Sequence, residues 1–210
     1  MVRRKQKATE RSKLDATPPW EVRVRAEVAA TTGPFDERDE PDDGVARADL
    51  GALKVPVSEG VDLRLDVNET QQVVAVTVAG PDGTMQLGVF AAPRNEGIWD
   101  EVRDEIATSL KTQRGNPTEV ADGVFGAELT GNLRDEANNA VPVRFIGVDG
   151  PRWFLRAMLV GAVATDATKA EAFEQLLRQV VVVRGSEPLP VRDPVPLRLP
   201  HGVELPTPDA

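Results

Sequence analysis

The sequence of 210 residues contains no cysteine, no tyrosine and a single histidine. Without cysteine the chain has no disulfide, no thiolate metal site, no iron–sulfur cluster and no thiol nucleophile. His201, the one histidine, lies in a proline-rich segment, so a catalytic triad, a histidine base or a histidine-rich metal site is not expected. We therefore predict no catalytic residues, no metal and no cofactor, which favours a protein that is not an enzyme.

Basic surface charge and long apolar runs are also missing. The formal net charge is −9, which argues against general nucleic-acid binding because phosphate contacts need a basic surface. No run of about 18 apolar residues is present, and no apolar segment follows the basic residues near the N-terminus, so neither a membrane span nor a signal peptide is predicted. A cytoplasmic location is the expectation.

Composition shifts along the chain predict four parts. Residues 1–32 form a basic, largely disordered arm, and residues 33–47 form an acidic linker with too few apolar side chains to pack alone. An α+β domain covers residues 48–184. Residues 185–210 form a proline-rich extended tail whose interleaved apolar residues indicate packing, either on this domain or on another chain.

Residue periodicity within the domain predicts mostly strands. Alternation of apolar and charged residues over 61–67 places Val61, Leu63, Leu65 and Val67 inward. Further strands are predicted at 50–57, 73–79, 84–91 and 126–133, and a hairpin at 141–148 and 153–160 is apolar on both faces and therefore central. We predict an α+β fold, a single mainly antiparallel sheet of six or seven strands with two covering helices.

The two helices show an apolar residue every three or four positions. Trp99, Val102, Ile106 and Leu110 form the buried stripe of the first helix. The second runs over about 168–178, and the spacing of Thr168 and Glu171 predicts a capping box at its start. A last strand over 180–183 is left open because its boundary is unclear from the pattern.

Several segments resemble an uncharacterised actinobacterial family, domain of unknown function 3710. The most distinctive is Gly147-Val148-Asp149-Gly150-Pro151-Arg152-Trp153, and Gly33-Pro34-Phe35-Asp36 and Phe90-Ala91-Ala92-Pro93-Arg94 are others. The resemblance covers about residues 33–200 and implies no activity and no site residues. The order of elements is also similar to that of PsbP- and Mog-like domains, which is an analogy of fold only.

Two arginines, Arg144 and Arg156, lie on opposite apolar faces of the central hairpin if Val148 pairs with Trp153. A buried guanidinium needs an anion or several hydrogen-bond acceptors. One hypothesis is a carboxylate or phosphate ligand held by Arg144 or Arg156 beside Trp153 or Phe154. The commoner alternative is an internal ion pair, with Glu128 as a partner for one of them, or a side chain that reaches the rim of the sheet.

Exposed arginine and apolar residues suggest a protein interface. Arg152 in the hairpin turn and Leu189, Val191 and Leu197 in the tail are the candidates, while Trp99 and Trp153 fit core positions better. The acidic residues of 36–43 lack a calcium-loop pattern, so charge repulsion explains them better than a metal. We predict a non-catalytic protein-interaction module with an unknown protein partner, and a small anionic-ligand binder or enzyme as the alternative. Homo-oligomerisation is left open.

Overall fold

A computed structural model describes residues 32–57, 62–68 and 72–199 of the chain. The arm predicted over residues 1–32 lies outside this range except for Thr32, and so do Val61, His201 and the last part of the tail. The described residues contain two α-helices, α1 (Trp99–Thr112) and α2 (Ala167–Arg178). They also contain eleven strands: β1 (Phe35–Asp36), β2 (Arg47–Asp49), β3 (Leu53–Pro56), β4 (Asp62–Val67), β5 (Val73–Gly80), β6 (Gly83–Ala91), β7 (Thr118–Gly123), β8 (Gly126–Arg134), β9 (Ala140–Gly150), β10 (Trp153–Gly161) and β11 (Val181–Val182).

Seven strands form one antiparallel sheet in the order β4-β5-β6-β10-β9-β8-β7. The predicted α+β class, with a mainly antiparallel sheet and two helices, is confirmed. A second, four-stranded sheet in the order β1-β11-β3-β2 was not predicted, and neither was β7. The strands of the small sheet have two to four residues, too few for a period of two to be recognised, and five of the six residues of β7 are exposed at the sheet edge.

The large sheet is buried on both faces over its central strands. On one face, α2 and the small sheet pack against apolar residues of β5, β6 and β10. On the other face, α1 packs against β8, β9 and β10. Trp153 and Phe154 follow each other in β10 and enter opposite cores, as the side-chain alternation of a strand requires. The prediction that the β9–β10 hairpin is central is confirmed.

The register predicted for this hairpin is wrong by two residues. Trp153 pairs with Gly150, and Val148 pairs with Leu155. Pro151 and Arg152 alone form the turn between the two strands, and Arg152 adopts a positive φ of 64° in it. Because the error is an even number of residues, every side chain stays on its predicted face.

Neither helix is capped at its N-terminus by residues that the local sequence pattern indicates. The side chain of Asp149, at the end of β9, accepts a hydrogen bond from the backbone N–H of Ile98 at 2.8 Å and so caps α1 from a distant part of the chain. At α2 the predicted capping box of Thr168 and Glu171 is wrong. Asp166 is the N-cap and accepts from the N–H groups of Thr168 and Lys169, which starts the helix at Ala167. Neither helix of the described part is long and apolar enough to cross a membrane.

Two predicted strands also change. The strand expected over 50–57 is confined to β3, because Gly51 turns the chain with a φ of 80° between β2 and β3. Val67, predicted to point inward, is 40% exposed. It lies at the end of β4, the outermost strand of the large sheet, where no further strand covers it.

Residues 33–47, predicted as an acidic linker, pack on the domain. They contain β1, which pairs in parallel with β11, and Arg47 opens β2. Asp36 is buried and accepts a 2.8 Å hydrogen bond from Trp153 Nε1. Burial would raise the pKa of Asp36, but hydrogen bonds from Arg38 and Trp153 outweigh it and hold that pKa below its usual value.

The proline-rich segment lies between two strands of the large sheet. Of β5, only Val76–Gly80 pair with β6. On the N-terminal side of Val76 there is a gap between the two strands, and the chain after Arg192 enters it. There the N–H of Val195 donates to the Val89 carbonyl of β6 at 2.8 Å, and that of Leu197 to the Val73 carbonyl of β5 at 3.0 Å. We call residues 193–197 the inserted segment. It acts as a short strand that supplies hydrogen-bond donors to the Val89 and Val73 carbonyls.

We expect substitution Leu197→Ala to lower the free energy of unfolding by about 2 to 3 kcal/mol, because it leaves a cavity in the core. Leu197 is 4% exposed, whereas Val191 in the same proline-rich segment is 50% exposed, so Val191→Ala is the matched control and should change stability by less than about 0.5 kcal/mol. Urea denaturation of both variants measures the difference. Equal effects would show that the segment does not hold Leu197 in the core.

Candidate functional site

Arg144 forms an internal ion pair on the α2 side of the sheet. Its Nε and Nη2 donate to the two carboxylate oxygens of Glu128 at 2.6 and 3.0 Å, and its Nη1 donates to Glu174 of α2 at 2.7 Å. Burial alone would lower the pKa of Arg144, but the hydrogen bonds to Glu128 and Glu174 raise it. All three of these hydrogen bonds go to protein carboxylates, so the guanidinium connects β8, β9 and α2.

Arg156 lies on the opposite face without such a partner. In the register of β10 it stands between Gly88 of β6 and Gly147 of β9, which contribute no side chains beside it. Its guanidinium carbon lies 5.2 Å from the centroid of the Phe90 ring. No hydrogen bond or ion pair joins this guanidinium to any residue the structure describes, and burial lowers its pKa.

The glycine next to Arg156 on β9 is required by α1. A Cβ atom on Gly147 would lie 2.2 Å from the ring of Trp99, so the indole packs directly on the β9 backbone. Trp99 stacks on Phe154 with 5.8 Å between ring centroids, and Phe154 is 6.1 Å from Phe90. The three rings thus form a continuous aromatic row along the sheet beside Arg156.

A cleft of about 130 Å³ opens where the start of α1 passes over β6 and β10. We call it the Arg156 cleft, and its lining is apolar apart from three charged side chains; the residues are Phe90, Ile98, Val102, Glu105, Phe154, Arg156 and Arg192. Phe154 and Ile98 are almost fully buried. The cleft therefore combines aromatic and aliphatic walls with an unpaired guanidinium, the composition of a small-ligand site.

Arg192 joins the inserted segment to α1 beside the cleft. Its two terminal nitrogens donate to Glu105 and Glu101, each at 2.6 Å. Hydrogen bonds to Glu105 and Glu101 raise the pKa of Arg192. The group carries two carboxylates against one guanidinium, so it holds one excess negative charge, while Arg156 holds one positive charge.

A second depression, about 310 Å³, lies past the end of α1 and is lined by Thr112, Gln113, Arg114, Arg134 and Asn138. Its lining is polar, and Arg134 Nη1 donates to the Asn138 carbonyl. Carbonyl groups at a helix C-terminus disfavour an anion. It offers no apolar wall, so the Arg156 cleft is the stronger candidate for binding.

The predicted ligand residues do not form one site. Arg156 lines the cleft, whereas Arg144 and Trp153 lie on the other face of the sheet, Arg144 in its ion pairs and Trp153 against Asp36. Glu105 and Arg192 were not predicted as partners, since 87 residues separate them in the sequence. The spacing of Glu101 and Glu105, one helical turn apart, is the visible signal, because it places both carboxylates on one side of α1.

The predicted interface residues differ in exposure. Val191 is exposed, and Leu189 is half-buried against the core, but Leu197 is part of the core and does not face outward. Arg152 is half-buried, and its carbonyl accepts hydrogen bonds from the Ala92 N–H and from Arg184 Nε. Arg184 is 7% exposed, and its partners within the described ranges are the carbonyls of Arg152 and Glu187.

Carboxylates of the acidic segment are spread among separate partners. Asp43 pairs with Arg47 at 2.7 Å, and Glu40 pairs with Lys54. Hydrogen bonds from Arg47 and from the Val45 N–H lower the pKa of Asp43 to about 2. Within the described ranges, no three acidic or histidine side chains are grouped so that they could hold a metal ion.

The comparison with protein families matches residues 33–205 to a single family model, described as a protein of unknown function (DUF3710). The chain belongs to this family. The match extends from β1 through the inserted segment. It therefore covers the whole described domain of this chain and not one motif alone.

No curated protein matches the sequence. Among solved structures, the chain is similar to the solution structure of cyanobacterial PsbP (CyanoP) from Synechocystis sp. PCC 6803. The TM-score is 0.37 at 14% identity, over 68% of this chain and 96% of the other. A likeness of this size carries no argument about function.

Replacing Arg144 tests its structural role. We expect Arg144→Met to lower the free energy of unfolding by about 3 to 5 kcal/mol, because it leaves Glu128, 2% exposed, as an unpaired buried charge. Arg64→Met, at an exposed pair with Asp62, is the control and should cost at most about 1 kcal/mol. Thermal and urea unfolding measure both, and an Arg144→Met protein as stable as the parent would refute this role.

Proposed function

We propose that this member of DUF3710 is a non-catalytic binding protein and that the Arg156 cleft takes a small organic anion with an apolar body. The observation that carries the proposal is the unpaired state of Arg156. Partial burial disfavours a charged guanidinium that has no carboxylate beside it, whereas Arg144, on the same strand pair, is held by Glu128 and Glu174.

The chemistry of the cleft supports an anion that is partly apolar. The planar donors of Arg156 suit a carboxylate or phosphate group, and the Phe90 ring holds the guanidinium from one side. The remaining walls are aromatic and aliphatic. The cleft is partly open to solvent, and its volume of about 130 Å³ gives room for an apolar part near the size of one ring or a short branched chain.

A thermal-shift screen of the full chain tests this proposal. Benzoate, hexanoate and phenyl phosphate are the probes, with benzamide and hexanamide as neutral counterparts. A ligand at a hundred times its Kd stabilises by about 2.7 kcal/mol, which raises Tm by roughly 5 to 10 °C in a protein of this size. We expect a rise with at least one anion and none with its amide.

Arg156→Met separates binding from folding. The substitution replaces an unpaired cation with an apolar side chain, so we expect the unliganded protein to be at least as stable as the parent. The rise in Tm caused by the anion should disappear, whereas Arg64→Met, an arginine outside the cleft, should retain it. An anion effect that survives Arg156→Met, or no anion effect at all, would contradict the proposal.

A protein-interaction role, the first function inferred from the sequence, is a second proposal. It is favoured by Arg184, a nearly buried arginine that has no carboxylate partner among the residues the structure describes and whose pKa is lowered by burial and by the charge of Arg152. Two neighbouring cations at the end of the central hairpin suit an acidic segment of a partner protein.

Arg152 is the residue to change in a test of that role. We expect Arg152→Glu to abolish capture of an acidic partner in a cross-linked pull-down and to leave the fold intact, since the contacts made by Arg152 with Ala92 and Arg184 use its backbone carbonyl. Arg94→Glu, at an exposed neighbouring loop position, is the control. A partner retained equally by all three proteins would argue against this surface.

Two further proposals concern the source and location of the protein, an actinobacterial origin and a cytoplasmic location. The first rests on the family resemblance, and the second on the acidic, cysteine-free composition. Cell fractionation of a host that carries the gene tests the location, and recovery in a membrane or secreted fraction would refute it.

A further inference from the structure

We propose that the occupant of the Arg156 cleft is a zwitterion, an amino acid with an apolar side chain. The inference rests on the proposed function, since it takes Arg156 as the anion-binding group. It adds a second charged contact, from the ammonium group of the ligand to Glu105. The cleft is thereby assigned one positive and one negative anchor beside apolar walls that contact the side chain of the ligand.

The two anchors differ in what already binds them. Arg156 has no hydrogen bond or ion pair among the described residues and is therefore ready for a carboxylate. Glu105 gives one oxygen, Oε1, to Arg192. Its Oε2 has no partner in the described part of the chain, and an ionised carboxylate has about four acceptor positions, so it can accept an ammonium as well.

Charge at the mouth favours a cation over a second anion. Glu101 and Glu105 face one Arg192, which leaves one negative charge in excess. A dianion such as a phosphate monoester or a dicarboxylate would meet this charge as it approached Arg156. In an α-amino acid the single carboxylate is attracted by Arg156, and the ammonium group on the same carbon is attracted by the excess negative charge.

The size of the cleft sets the side chain of the ligand. Phe90, Phe154, Ile98 and Val102 supply apolar contact on both the sheet side and the helix side. About 130 Å³ accommodates a body near the size of benzene. A branched aliphatic or small aromatic amino acid meets this limit.

The experiment compares three probes that share one side chain, by isothermal titration calorimetry of the full chain at pH 7 and low salt. L-leucine carries both charges, 4-methylpentanoate lacks the ammonium, and L-leucinamide lacks the carboxylate. We expect L-leucine to bind about fivefold more tightly than 4-methylpentanoate, the upper range for an exposed ion pair, and L-leucinamide to bind least. The preference should shrink at high salt.

Variants assign that preference to Glu105. Glu105→Gln should reduce binding of L-leucine to the level of 4-methylpentanoate, without weakening 4-methylpentanoate itself. Asp104→Asn, an exposed neighbour on α1 outside the cleft, removes the same charge and should leave the preference intact. Arg156→Met should abolish binding of both acids.

The outcomes distinguish the two levels of the proposal. If 4-methylpentanoate binds through Arg156 as tightly as L-leucine, the zwitterion is wrong and the anion site stands. If L-leucine keeps its advantage in Glu105→Gln, the ammonium contact is refuted. If neither acid binds, and benzoate, hexanoate and phenyl phosphate also give no thermal shift, the proposed function is overturned together with this inference.

Discussion

The β9–β10 hairpin is the constraint on which the rest of the structure depends. Successive residues of β10 enter different cores, Trp153 towards α2 and Phe154 towards α1. Trp153 also fixes the buried Asp36 through its indole N–H, and Asp149, at the other side of the turn, caps α1. One tight turn therefore sets the position of a helix, a distant N-terminal segment and both apolar layers, because each takes its place from the same few residues.

Two arginines of this hairpin show how the same side chain serves different ends. Arg144 offsets its desolvation with two carboxylates, and the cost of removing any one of the three charges falls on the other two. Among the described residues Arg156 has only the face of Phe90, a weaker compensation. A partly buried cation with so little compensation from the protein is typical of a binding site.

Much of the fold was predictable because the spacing of apolar residues and the residue types typical of turns are local features of the sequence. The alternation of strands and the stripe of α1 follow from neighbouring residues, and β9–β10 was placed at the centre from its two apolar faces. The small sheet was missed because its strands are too short to show a period, and the α2 start because Asp166 competes with Thr168 as a cap. Arg156 could be found as a buried charge, but its unpaired state and the approach of Arg192 to Glu105 depend on long-range packing, which no local pattern encodes.

The inserted segment has a consequence for how the chain is assembled. Because residues 193–197 hydrogen-bond between β5 and β6, the sheet has a gap that is filled by a segment lying after all seven of its strands in the chain. As the polypeptide leaves the ribosome, the carbonyls of Val73 and Val89 lack their final partners until the segment has emerged. Completion of the large sheet therefore waits for this segment, and a chain stalled before Leu197 would present an open strand margin to other nascent proteins.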